Sequence, residues 1–159
     1  MAKEIERKFL IAGDGWRGLA EGVVYRQGYL CSGPERSVRV RIAGDHGYLT
    51  VKGATIGATR NEYEYEIPLV DARDMLDTLC PQPQIEKKRY TIVHQGSTWE
   101  IDEFFGPNRG LIVAEIELER EDQPFTRPAW LGAEVTGDPR YYNAMLCSNP
   151  YSRWPDKNS

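Results

Sequence analysis

Soft metal-binding side chains are scarce in this chain, which holds three cysteines and two histidines among 159 residues. The cysteines, Cys31, Cys80 and Cys147, are odd in number and far apart, which argues against a disulfide framework. His46 and His94 stand at no spacing that is typical of zinc ligands. The sequence therefore gives no support to a disulfide-stapled fold, a zinc site or a Cys–His nucleophile.

Long apolar runs and excess positive charge are also absent. No hydrophobic segment approaches the ~20 residues that cross a bilayer, and residues 1–6 place acids where a signal peptide needs an apolar segment. The formal net charge of −4 leaves no global field to attract nucleic acid or anionic membranes. The glycine motifs of phosphate loops and dinucleotide folds are missing. We therefore expect a cytoplasmic protein without nucleic-acid or membrane partners, in which any phosphate recognition is local.

Apolar and polar residues alternate with period two over most of the first 120 residues, which predicts strands. The gaps are short and carry Gly, Asp, Asn or Pro, as antiparallel hairpins do. So many short strands tend to close, because closure removes exposed edges. The chain length favours one domain, predicted over residues 1–148 with an irregular tail over 149–159. The predicted strands cover residues 3–11, 23–30, 36–43, 47–53, 61–69, 85–94, 97–104 and 111–120.

Three segments break this period and predict flanking helices. Residues 71–79 form the first, with Asp71 as its N-cap. Asp138 and Pro139 make a good cap and first helical position for a second helix, from residue 140 to about 147. Residues 14–21 are a weaker helical candidate. The predicted fold is α+β, mainly β: a closed eight-stranded antiparallel barrel with a few flanking helices. The helix near the C-terminus either closes one end of the barrel or packs outside it.

One face of each predicted strand carries a row of ionisable side chains, beginning with Glu4, Glu6 and Lys8. These rows are either the solvent faces of an ordinary barrel or the walls of a charged lumen. Apart from the first, each row is wholly acidic or wholly basic, which favours the lumen. Like charges along one strand face cost free energy unless cations or a polyanion compensate them. Carboxylates without His or Cys select Mg²⁺ or Mn²⁺, and facing Arg and Lys suit phosphate oxygens. Further rows are Arg39 and Arg41; Lys52; Glu62, Glu64 and Glu66; Lys87 and Arg89; Glu100 and Asp102; and Glu115, Glu117 and Glu119.

The first strand also carries a motif, because Glu4-Ile5-Glu6-Arg7-Lys8 has the form E-x-E-x-K. Together with the rows that follow it in order, this motif resembles the signature of the CYTH superfamily, also called triphosphate tunnel metalloenzymes. The length and motifs are most similar to those of the short bacterial inorganic triphosphatases. The rows that follow in the family's order are Arg39-Val40-Arg41, Thr50-Val51-Lys52, Glu62 to Glu66, Lys87 to Tyr90, Glu100-Ile101-Asp102 and Glu115-Ile116-Glu117.

The resemblance implies a tunnel that hydrolyses a phosphoanhydride bond of a triphosphate with Mg²⁺ or Mn²⁺. In the mechanism that we predict, Lys8, Arg41 and Lys52 are catalytic and, with Arg39, stabilise charge on the transferred group, while Lys87 and Arg89 hold the leaving end. The catalytic carboxylate Glu117, or a second cation, orients the attacking water. By position, the metal-binding carboxylates are Glu4, Glu6, Glu115 and Glu117, with Glu64 and Asp102 supporting the metals or their waters. The basic residues that match the triphosphate-binding positions are Lys8, Arg39, Arg41, Lys52, Lys87 and Arg89.

The substrate stays open at this point. The resemblance implies inorganic triphosphate first, and nucleoside triphosphates, thiamine triphosphate or cyclisation of ATP as alternatives. A non-catalytic polyphosphate-binding module and a lipocalin-like carrier with an apolar lumen are the rivals from other classes. A small-molecule triphosphate is the expected partner, and a homodimer is left open.

Overall fold

The computed structural model describes residues 3–155, which form nine strands, two α-helices and three short 3₁₀ turns. None of the helices in that range is long and apolar enough to cross a membrane. The 3₁₀ turns are Gly106–Asn108, Pro139–Tyr141 and Tyr151–Arg153. The strands and helices are β1 (Lys3–Ile11), β2 (Gly22–Ser32), β3 (Arg36–Ala43), β4 (His46–Gly53), β5 (Thr59–Ile67), α1 (Leu69–Thr78), β6 (Ile85–His94), β7 (Ser97–Phe104), β8 (Ile112–Glu117), β9 (Leu131–Glu134) and α2 (Asn143–Ser148).

Eight strands close into an antiparallel barrel in the ring order β1-β5-β4-β3-β2-β6-β7-β8. The ring closes because β1 pairs with β5 at its start, where Glu4 faces Arg60, and with β8 further along, where Lys8 faces Glu115. This confirms the predicted closed eight-stranded barrel. The short strand β9, which pairs with the last residues of β1, was not predicted. Its four residues are too few for alternation to be recognised.

Much of the apolar packing lies outside the ring. The outer faces of β1, β7 and β8 carry Phe9, Trp99 and Ile116, which the flanking residues Trp16 and Trp130 cover. A second outer patch lies between α1 and the adjacent strands β3 and β4. There the helix approaches the barrel closely, because a Cβ added to Gly47 of β4 would lie 2.7 Å from the Cβ of Ala72.

A third cluster occupies one end of the barrel. Ile85, Phe104 and Val113 alternate in phase with Lys87, Asp102 and Glu115, so they lie on the inner faces of their strands. Leu146 of α2 packs against this cluster and is fully buried. The second helix therefore sits across one end of the barrel, which decides between the two placements that the sequence left open.

The helix boundaries differ from the predictions in three places. Helix α1 begins at Leu69, directly after the extended residue Pro68, so Asp71 lies in the first turn and is not the N-cap. Residues 14–21 form turns, because Gly18 adopts φ +83° and interrupts any helix. The Asp138 side chain does accept a hydrogen bond from the Arg140 amide, at 3.1 Å. The turn it caps is a single 3₁₀ turn, and Tyr142 returns to an extended conformation before α2 begins.

The segment after α2 packs more closely than the predicted irregular tail. Trp154 is buried, and its ring meets those of Tyr141 and Tyr151 edge to face, each with centroids 5.1 Å apart. Its indole Nε1 donates to the carbonyl oxygen of Asn149 at 3.0 Å. The aromatic side chain covers the end cluster, and this burial orders residues 149–155. The rest of the predicted tail, residues 156–159, lies outside the described residues.

Candidate active site

The inner faces of the barrel strands enclose a cavity of about 790 Å³. Its walls are charged, so the arrangement is the reverse of a barrel with an apolar lumen. Helix α2 contributes Asn143, Ala144 and Met145 to one side of the cavity. The predicted site residues that line the cavity are Glu4, Glu6, Lys8, Arg39, Arg41, Lys52, Glu64, Arg89, Glu115 and Glu117.

The charges divide the cavity into two halves because of the ring order. Strands β7, β8, β1 and β5, which carry most of the acidic rows, are consecutive neighbours in the ring, and so are β4, β3, β2 and β6. The second group carries Lys52, Arg39, Arg41 and Arg89 on its inner faces. Two cations interrupt the acidic half: Lys8 on β1 and, unpredicted from the sequence, Arg60 on β5. The cavity therefore has an acidic and a basic half, each with its own strands.

Carboxylates in the acidic half repel one another at close quarters. Burial raises the pKa of Glu115, and the negative charge of Glu6 raises it further. Burial also raises the pKa of Glu117, with Glu4 and Glu100 adding to the effect. Both directions mean that ionisation is less favourable here than for a free side chain, and a bound cation would favour it.

The donor chemistry of this half fits a hard divalent cation. All its acidic donors are carboxylate oxygens, the ligands that Mg²⁺ and Mn²⁺ prefer. Within residues 3–155, no three Asp, Glu, His or Cys side chains already converge into a ready-made metal cluster. Mg²⁺ usually keeps several water ligands and needs only one or two direct carboxylates. Glu6, Glu115 and Glu117 therefore fit a partly hydrated cation better than a closed protein cage.

Two lysines already touch the acidic carboxylates. Lys52 Nζ donates to both oxygens of Glu4, at 2.9 and 3.0 Å, and lies 3.2 Å from Glu62. Lys8 Nζ lies 3.8 Å from Glu115 and 3.9 Å from Glu6. Burial opposes the charged form of Lys8, but the two carboxylates outweigh it and raise the lysine pKa. The Lys8 ammonium group is thus held positive inside the cavity wall.

The structure differs from the prediction at Asp102 and Lys87, because neither of them lines the cavity. Asp102 Oδ2 accepts from Lys87 Nζ at 2.7 Å, and both of its oxygens accept from Arg89. Burial alone would raise the pKa of Asp102, but Arg89 and Lys87 hold it well below its ordinary value. Burial, with Arg89 and Arg41 nearby, lowers the pKa of Lys87 to about 7. Asp102 is therefore a counter-ion behind the basic wall, and its oxygens are already occupied.

Arg39 presents an unsatisfied donor beside the cavity. Its Nη2 donates to Thr50 Oγ1 at 3.2 Å and lies 3.5 Å from Glu64, but its buried Nε has no hydrogen-bond partner within residues 3–155. Leaving a buried donor unpaired costs free energy, which an incoming acceptor oxygen would recover. The side chain is therefore suited to an anionic ligand. Thr50 in turn donates to Glu64 at 2.7 Å, so Glu64 is tied to the basic half.

Residues 2–142 match the family model of the CYTH domain. The chain belongs to the CYTH family. An inorganic triphosphatase of Acetivibrio thermocellus is 54% identical over 156 residues, which cover 98% of this chain and all of that protein. An inorganic triphosphatase of Nitrosomonas europaea is 38% identical over 148 residues, covering 90% and 95% of the two chains. A crystal structure of an inorganic triphosphatase superposes with a TM-score of 0.66 at 34% identity, over 92% of this chain and 95% of that one.

Several cavity residues of this CYTH barrel escaped the sequence analysis. Arg60 stands two residues before Glu62 and so shares the inner face of β5, a spacing that could have revealed it. Tyr25 lies on the inner face of β2, but it is uncharged and therefore belongs to none of the charged rows. Asn143 lies on α2, where strand periodicity carries no information.

Proposed function

We propose that this CYTH protein hydrolyses inorganic triphosphate to pyrophosphate and phosphate with a divalent cation, Mg²⁺ or Mn²⁺. The observation that carries the proposal is the division of one enclosed cavity into a basic half and an acidic half. A triphosphate between them would meet donors on one side and cation-binding carboxylates on the other. The identity to inorganic triphosphatases along nearly the whole chain supports this substrate over larger ones.

The basic half would hold the phosphate oxygens. Arg39, with its unpaired Nε, and Arg41 would bind the transferred phosphoryl group, and Arg89 would bind the leaving pyrophosphate. Lys8 from the acidic half and Lys52 from the basic half would stabilise negative charge on the transferred group, and both already lie beside carboxylates. Lys87 would act through Asp102 and not by direct contact.

The acidic half would hold the cation and direct the water. A cation held by Glu6, Glu115 and Glu117 would supply charge neutralisation to the phosphate oxygens. Glu4 would join these ligands by giving up a hydrogen bond from Lys52. Glu117 is the least buried of the carboxylates with raised pKa values, which suits it to accept a proton. In the reaction, the water oxygen forms a bond to the terminal phosphorus and the bridging P–O bond breaks. Pyrophosphate leaves as the water proton passes to Glu117.

The test is phosphate release from inorganic triphosphate, ATP and thiamine triphosphate, each with Mg²⁺ and with Mn²⁺. We expect inorganic triphosphate to be preferred, and Lys8→Ala and Glu4→Gln to lower turnover by about 10²-fold or more. Glu35→Gln removes an equivalent but exposed carboxylate and is the matched control. Preference for ATP would favour a nucleoside triphosphatase. Tight triphosphate binding without release would favour a binding module, and inactivity with every substrate would overturn the proposal.

A further inference from the structure

Two side-chain amides connect the basic residues Arg41 and Lys87. Arg41 Nε donates to Gln27 Oε1 at 2.8 Å. Gln27 Nε2 donates to Asn143 Oδ1 at 3.0 Å, and Lys87 Nζ donates to the same oxygen at 3.1 Å. The chain of hydrogen bonds therefore runs from β3 through β2 to α2 and back to β6. Asn143 is its one helical member.

The chemistry of Arg41 fixes how both amides point. A guanidinium can only donate, so Arg41 must face the amide oxygen of Gln27. Gln27 therefore turns its oxygen to Arg41 and its NH₂ group to Asn143, whose oxygen then receives both Gln27 and Lys87. No other orientation of the two amides satisfies all three contacts.

Burial and packing restrict the positions that the side chains of this hydrogen-bonded chain can take. Gln27 and Lys87 are fully buried, and Arg41 also stacks on Tyr25, with 4.9 Å between its guanidinium carbon and the ring centroid. The amides satisfy donors of two cations without adding a further negative charge next to the phosphate-binding wall. Helix α2 holds Asn143 in place because Leu146, three residues later, is fully buried in the end cluster.

We propose that Asn143 is a positioning residue, through which helix α2 fixes Gln27 and thereby aims the Arg41 guanidinium at the bound phosphate. This inference rests on the proposed triphosphatase function. It gives α2 a part in the reaction beyond covering the end of the barrel. Without Asn143, Gln27 is free to rotate, and Arg41 loses its fixed partner.

A double-mutant cycle tests the connection. Asn143→Ala is expected to lower kcat/KM for inorganic triphosphate by about tenfold. In an Arg41→Ala background the same change is expected to have almost no further effect, because its route to the substrate has gone. In a Lys52→Ala background the tenfold loss is expected to persist in full. Asn149→Ala, at an exposed asparagine just after the same helix, is the matched control.

Binding provides a second readout that does not require turnover. Calorimetry with inorganic triphosphate should give the same pattern of coupling in Kd as in kcat/KM. Equal losses for Asn143→Ala in the Arg41→Ala and Lys52→Ala backgrounds would overturn the inference, as would wild-type kinetics for Asn143→Ala. A wild-type protein that binds triphosphate without releasing phosphate would reject the proposed function, and the Kd cycle would still decide the role of Asn143.

Discussion

Asp102 receives two parallel hydrogen bonds from the guanidinium of Arg89, at 2.7 Å from Nε and 2.8 Å from Nη2. The carboxylate is 1% exposed and also holds Lys87, so a single buried anion serves two cations of β6. Such a paired geometry fixes the plane of the guanidinium as well as its position. Arg89 is thereby presented to the cavity in one orientation.

Asp102→Asn is the first test of this arrangement. It removes the shared counter-ion and leaves Arg89 with only the partly exposed Glu100 as an acidic partner, which we expect to cost about 3–5 kcal/mol of unfolding free energy. Urea denaturation measures the loss. Asp77→Asn breaks the exposed pair with Arg26 and should cost less than ~1 kcal/mol. Equal effects of the two substitutions would contradict the counter-ion role of Asp102.

Lowering the pH should first raise and then lower the unfolding free energy of the metal-free protein. Glu4, Glu115 and Glu117 have pKa values raised above the ordinary 4.5, so the folded state takes up their protons first and stability rises as pH falls through that range. The pKa of Asp102 is lowered instead, so its contribution is complete above 3.8 and is lost below it. We expect a maximum in unfolding free energy on the acid side of neutrality. Glu115→Gln should flatten the rising stage, and a steady decline from pH 7 downward would refute this account.

Divalent cations should stabilise the folded protein at neutral pH. A cation that binds only the folded state adds about 2.7 kcal/mol at 100 times its Kd. Because protons compete for Glu115 and Glu117, the rise in Tm with Mn²⁺ or Mg²⁺ should be larger at pH 7.5 than at pH 5. Glu115→Gln should reduce the rise, whereas the exposed Glu35→Gln should leave it unchanged. An equal rise in Tm at both pH values would argue against carboxylate ligands.

Trp154 should contribute strongly to stability although it lies close to the C-terminus. Its ring packs against Tyr141 and Tyr151, so Trp154→Ala should cost about 3–5 kcal/mol, and Trp154→Phe less. Thermal and urea unfolding measure both variants. The exposed neighbour Arg153 serves as the control, since Arg153→Ala should change stability by no more than about 0.5 kcal/mol. A small effect of Trp154→Ala would show that this segment does not support the end cluster.

Strand alternation predicted the barrel and the faces of its charged rows, but it could not show which rows meet. The row Glu62, Glu64 and Glu66 illustrates the difference, because its like charges suggested a need for bound cations. In the ring, β5 lies beside β4, and Lys52 and His46 approach Glu62 and Glu66 at 3.2 and 2.9 Å. Whether residues on a neighbouring strand compensate these charges depends on the order of the strands in the barrel, which the periodicity of the sequence does not reveal.

The role of Asp102 could not be predicted for a related reason. Its position in an acidic row suggested a metal site, and the spacing along β7 is the same for a ligand and for a counter-ion. Only the pairing of β7 with β6, which sets Asp102 opposite Arg89, separates the two roles. Asn143 could not be predicted from the sequence for another reason. Its proposed role depends on where α2 packs against the barrel and not on any local sequence pattern.

Because the ionic side chains line the inside of this barrel, the apolar faces of its strands point outward and are covered by separate segments of the chain. Helix α1 shields one such face, and the segments carrying Trp16 and Trp130 shield another. Each covering segment can detach without breaking the closed ring of backbone hydrogen bonds. Amide hydrogens should therefore exchange slowly in the barrel strands and faster in the covering segments. On heating, one of these covering segments should detach first and expose an apolar strand surface while the barrel is still closed. Aggregation is therefore the expected route of thermal inactivation.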